Sequence, residues 1–162
     1  MTAEFWTMIA TSAAAIIAAI ALLNTYRSQK KALDRERKQA TIEAFNLLQT
    51  EVLDNLANVT KKDTRTAAEQ HLMSDEDRKV YNDFRVQIAR LEHFAVGIRE
   101  ETYDFEIFYK LGGVHVMFLY ERMEPIIEES RKNSHDIVPF QTFEWLYKQI
   151  KAEYNKQKSR DS

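Results

Sequence analysis

Glycine occurs in this chain only at positions 97, 112 and 113, and proline only at 125 and 139. The first 96 residues therefore contain neither of the residues that most readily end or kink a helix. No run of alternating apolar and polar residues bounded by turn residues appears, which would be the signal of a half-buried strand. An all-α chain is expected, with an N-terminal transmembrane helix continuing into a cytosolic helical bundle domain.

The expectation of a span rests on Phe5 to Tyr26, "FWTMIATSAAAIIAAIALLNTY", 22 residues without a charge. As a helix this run is about 33 Å long, close to the hydrocarbon thickness of a bilayer. A secretory signal would need basic residues before its apolar core, and only Met1, Thr2, Ala3 and Glu4 precede it. The basic residues follow instead: Arg27, Lys30, Lys31, Arg35, Arg37 and Lys38 stand against Asp34 and Glu36. Basic flanks stay cytoplasmic, so a short N-terminus outside and a main domain in the cytoplasm of a bacterial inner-membrane protein are expected. The expected organisation is 1–26 for the outer N-terminus and span, 27–38 for a basic juxtamembrane helix, 39–157 for the cytosolic domain and 158–162 for a disordered tail. Apart from Glu4 and residues 27–38, the chain has 17 basic and 22 acidic residues, so the domain as a whole is not a basic nucleic-acid-binding module. The absence of cysteine excludes thiolate metal sites and cysteine nucleophiles.

The run is built largely from alanine, threonine and serine rather than leucine. Inside a bilayer, helices associate through close van der Waals contact and shared polar groups, and small residues permit the contact. Thr7, Thr11, Ala15 and Ala19 recur at every fourth position, and Ala10, Ala14 and Ala18 form a second row beside them. Two such rows suit a helix with neighbours on two sides in a closed homo-oligomer. Thr7, Thr11 and Ser12 place hydroxyls in the outer half, where they could line a narrow water path. A single alanine-rich anchor is the plainer alternative.

Beyond the span, helix formers continue to Asn58, with an apolar stripe at Ile42, Phe45, Leu48, Val52, Leu56 and Val59. "TKKDTRTAAEQHLM" reads as a loop with at most a turn of helix. Ser74, with Asp77 three residues on, is an expected N-cap for a helix whose stripe is Val80, Phe84, Ile88, Leu91, Ala95 and Ile98. A short helix from Phe105 to Leu111 should end on a left-handed Gly112. A helix from Val114 to Lys132 should kink at Pro125. A last helix should bury Phe143, Leu146 and Ile150 beside Tyr147 and Tyr154, leaving "NKQKSRDS" as a polar tail.

Signals of chemistry are few. His71, His93, His115 and His135 lack the spacing of metal ligands, no Gly-rich phosphate loop or serine elbow is present, and no enzyme, metal or cofactor is expected. Glu92 beside His93, and Glu121 with Glu124, read as solvated or ion-paired carboxylates. Arg90, Arg99, Arg122 and Arg131 accompany aromatic-rich helices and are candidate contacts for an anionic ligand, since a guanidinium both grips phosphate and stacks on bases.

The span, the basic helix, "LEHFAVGIREETYDFEIFYKLGG" from Leu91 to Gly113, "LYERMEPIIEESR" from Leu119 to Arg131 and "FEWLYKQIK" from Phe143 to Lys151 together resemble a family of bacterial single-span proteins of unknown function. Within that type the chain is similar to the membrane effectors of the Hailong anti-phage defence system. The resemblance implies a tetrameric ion channel held closed by single-stranded oligodeoxyadenylate, the product of a partner nucleotidyltransferase, and opened on its loss to depolarise the cell. A second expectation, from a different class, is a membrane-tethered adaptor that recruits a protein partner, with the span only an anchor.

Overall fold

The computed structural model describes the backbone of residues 3–132, 134 and 138–160, and side chains from residue 20 onward within that set. The described residues form six α-helices: α1 Ala3–Leu48, α2 Lys61–Gln70, α3 Asp75–Arg99, α4 Phe105–Phe108, α5 Val114–Lys132 and α6 Gln141–Lys158. No strand occurs among the described residues. The chain divides into two units, Met1–Arg37 and Lys38–Ser162. In the first, every described side chain from Ile20 to Glu36 is exposed. The second is a helical bundle with one apolar core.

Among the described residues no helix is long and apolar enough to cross a membrane. Most of the uncharged run precedes Ile20: Thr7, Ala10, Thr11, Ser12, Ala14, Ala15, Ala18 and Ala19 lie outside the described side chains. The same holds for His135.

In the bundle, α2, α3, α5 and α6 pack on one another. The floor of the core is Ile88, Leu91, Ala95 and Ile98 of α3, Val116, Leu119, Met123 and Ile126 of α5, and Phe143, Leu146 and Ile150 of α6. Each large apolar side chain removed from water in this way contributes about 1.5–3 kcal/mol. Phe45 and Leu48 of α1, with Val52 and Leu56 after it, are buried as their spacing predicts. On α3 the stripe begins one residue later than expected, because Tyr81 is buried on the ring of His71 while Val80 is exposed.

Four local expectations are corrected. α1 stops at Leu48 and the chain runs through a wide π-type turn, Gln49–Leu53, rather than staying α-helical to Asn58. Arg122 gathers the released carbonyls, donating to the oxygens of Leu56, Ala57 and Val59 at 3.4, 3.2 and 2.9 Å. The expected loop after Thr60 is α2, started by a capping box in which Thr60 Oγ1 accepts from Asp63 N and Asp63 accepts from Thr60 N. Gly112 has φ 179°, an extended rather than a left-handed backbone. Its lack of a side chain answers a close approach instead, since a Cβ there would lie 2.5 Å from Phe45 Cζ. Finally, α6 continues through Asn155 to Lys158 where a tail was expected.

The expected cap at Ser74 and the expected bounds of α5 match. Ser74 Oγ accepts from Asp77 N, and α5 spans Val114–Lys132 with Pro125 inside it.

Candidate functional site

The four arginines expected to contact an anionic ligand each meet different partners within the chain. Arg122 holds the turn after α1, as described above. Arg131 donates to the carbonyls of Pro139 and Phe140 and pairs with Glu144 at 2.8 Å. Arg99 lies over the ring of Trp145, 6.0 Å from its centroid. Arg90 donates to Glu51 at 2.9 Å with both side chains about half exposed to solvent.

Two of these contacts belong to the start of α6, which its own sequence does not cap. Phe140, in the N-cap position, has φ 59° and no side-chain hydrogen bond to the helix. A left-handed aromatic residue costs about 1–2 kcal/mol. Glu92 of α3 supplies the missing acceptor, its two carboxylate oxygens receiving Thr142 N at 3.0 Å and Phe143 N at 2.6 Å. The negative charge also meets the positive end of the helix dipole. Glu92 is thus a capping group reached from 50 residues away, and His93 beside it faces solvent. Glu144, one turn into α6, is held below its usual carboxylate range first by its hydrogen bond to Lys148, with Arg131 adding to the effect. Glu121 accepts from the hydroxyl of Tyr147 and Glu124 pairs with Lys61, so neither forms an acid and base couple with the other.

One cleft combines an apolar floor with a cation. It has a volume of about 180 Å³ and is lined by Ala44, Leu47, Leu48, Glu51, Val52, Arg90, His93, Phe94 and Tyr103. Its wall depends on Gly97: a Cβ there would lie 2.3 Å from the Tyr103 ring, so only glycine lets that ring settle on α3. Tyr103 then stacks on Phe94 with centroids 5.2 Å apart. The result is an aromatic surface beside a guanidinium, on the last turns of α1. Of the residues singled out from sequence, Arg90 and His93 are here. Tyr103, Phe94 and Glu51 were not anticipated, because they meet only through tertiary packing. A more open cleft of about 500 Å³ borders Arg122, but Glu121 and Glu124 share its lining and oppose an anion. Among the described residues, no group of three or more His, Asp or Glu side chains is placed to hold a metal ion.

These features define an α-helical bundle protein with a small, half-open aromatic cleft that carries the Arg90–Glu51 ion pair. The chain belongs to the family described as a domain of unknown function, DUF4760, which it matches over residues 8–150. That match takes in most of the uncharged run as well as the bundle. No curated protein and no solved structure gives a significant match.

Proposed function

We propose that the chain is a single-span protein of the bacterial inner membrane, with its N-terminus outside and its bundle in the cytoplasm, whose spans associate into a homo-oligomeric ion channel. The observation that carries this reading is α1. One helix, Ala3–Leu48, includes the uncharged run, the basic segment and the first buried apolar residues of the bundle, Phe45 and Leu48. The family match also begins inside the run.

The tetrameric state, the role in anti-phage defence and closure by single-stranded oligodeoxyadenylate come from the resemblance to Hailong membrane effectors. In this reading the chain is not an enzyme, needs no cofactor, and answers to a partner nucleotidyltransferase through the ligand that enzyme makes. The Arg90 cleft is the candidate place for a base-bearing ligand, since Tyr103 offers a stacking face, and an anionic group there would take the place of Glu51 on Arg90. Reconstituted full-length protein should pass ions and lose that flux when oligodeoxyadenylate is added. An integral protein that passes no ions under either condition would overturn the channel.

One observation favours the adaptor as a second reading: Arg90, Arg122 and Arg131 each have partners within the chain, which leaves fewer cations for a polyanion. Replacing Phe5 to Leu23 with an unrelated span separates the two. The adaptor survives that exchange and the channel does not.

A further inference from the structure

The basic segment after the run is one-sided. At 3.6 residues per turn, Lys30, Arg27, Lys31 and Arg35 fall within an arc of about 140° of α1. All four are exposed. The opposite arc holds Ser28, Gln29, Ala32, Leu33 and Glu36, with no basic residue. Asp34 lies among the basic positions, with its carboxylate 3.9 Å from the Arg37 guanidinium.

The basic arc continues in phase with the apolar residues that precede it. Ile20 and Leu23, both more than half exposed, lie within about 40° of Arg27 around the same helix. By the same count the positions of Ile9 and Ile16 fall on this side too. The two rows of small residues, Thr7 to Ala19 and Ala10 to Ala18, centre on roughly the opposite side. One line of α1 therefore carries Ile9, Ile16, Ile20 and Leu23 followed by cations, and the other carries the two small-residue rows, with Leu22 beside them.

We infer that this line faces lipid, and that Arg27, Lys30, Lys31 and Arg35 form a binding face for the headgroups of anionic phospholipids in the cytoplasmic leaflet. Acyl chains lie along Ile20 and Leu23 while phosphates meet the four cations one to three turns further on. A cluster of cations just inside a span attracts anionic lipid at short range. Its confinement to the side away from the small-residue rows keeps like charges on neighbouring copies apart. This inference rests on the single-span reading proposed above.

The test uses the full chain reconstituted in vesicles of phosphatidylcholine and phosphatidylglycerol in equal parts, then excised with its surrounding lipid. The ratio of phosphatidylglycerol to phosphatidylcholine should rise from one in the bulk to about three around the protein, an effect of the size local cations exert at a membrane surface. Replacing the four cations with glutamine should remove the enrichment. A second variant keeps the net charge but moves two cations to the other side, through Lys30→Gln with Gln29→Lys and Lys31→Ala with Ala32→Lys. It should lose most of the enrichment, and wild-type enrichment there would overturn the one-sided face. Inorganic phosphate should leave the wild-type enrichment in place, and its loss would assign the face to free anions instead. Protein that stays in the membrane pellet at alkaline pH yet holds lipid of bulk composition overturns this inference alone. Release to the supernatant overturns the single-span reading with it.

Discussion

The two units handle their apolar residues in opposite ways. Between Ile20 and Glu36 the large apolar side chains are open, with Ile20 at 53%, Leu22 at 71% and Leu33 at 65% exposure, whereas Phe143, Ile150 and Met123 of the bundle are fully enclosed. A bundle explains its own composition, because each enclosed residue has neighbours in the same chain. In the first unit the described side chains from Ile20 to Glu36 are exposed instead. Lipid and further copies of the same helix are the surroundings proposed for it.

That contrast can be probed from either side. Phe143→Ala should have the largest effect, lowering bundle stability by about 3–5 kcal/mol in denaturant unfolding, because the cavity forms where nothing can collapse into it. Leu33→Ala should shift the same transition by less than about 0.5 kcal/mol. A comparable loss at both positions would mean that the first unit packs on the bundle. Gly112→Ala should cost about 1–3 kcal/mol by forcing a methyl against Phe45, with partial recovery when Phe45 is shortened to leucine. Without that recovery, the close approach is not the reason for glycine.

Two helix starts offer a finer comparison. Thr60→Ala should cost about 1 kcal/mol, the usual worth of a local cap. Glu92→Ala should cost α6 about 1–2 kcal/mol and should unfold α6 first, seen as faster amide exchange in its opening turn. Equal exchange in all helices would remove Glu92 from that role.

These starts also show what the sequence could and could not convey. Ser74 and Asp77 are three residues apart, so their cap is readable from the chain alone. Thr60 and Asp63 have the same spacing, but a polar segment whose buried residues are only Thr64, Ala67 and Ala68 hides its helix. Glu92 and α6 are separated by 50 residues, and nothing local marks the partnership. Gly112 is similar: a glycine after a short helix suggests a left-handed cap, while the reason for it lies at Phe45 in another helix. The arginines followed the same rule. Their type suggested anion binding, and their tertiary neighbours turned Arg122 and Arg131 to holding backbone carbonyls. Arg90 alone lines the aromatic cleft, since the meeting of Gly97, Tyr103 and Phe94 is itself a tertiary event.

A further effect concerns pH. Burial first, and the charge of Glu144 second, push the Tyr120 hydroxyl up from 10.0 to about 12. A raised value means that the folded bundle favours the neutral phenol. Its contribution is fully present below pH 10 and declines as pH rises from there to about 12. Absorbance titration of wild type against Tyr120→Phe should show the lost tyrosine ionising in that upper range, and ionisation near 10 would place the ring in water.

The uncharged end of α1 is proposed to span the membrane and to meet other copies through its small residues. The chain contains no cysteine, so a single one can be introduced without background. Oxidative cross-linking of Ala15→Cys in native membranes should give a covalent dimer of the full chain, while Ile20→Cys on the opposite side should give little. Monomer at both positions, or equal dimer at both, would contradict the account.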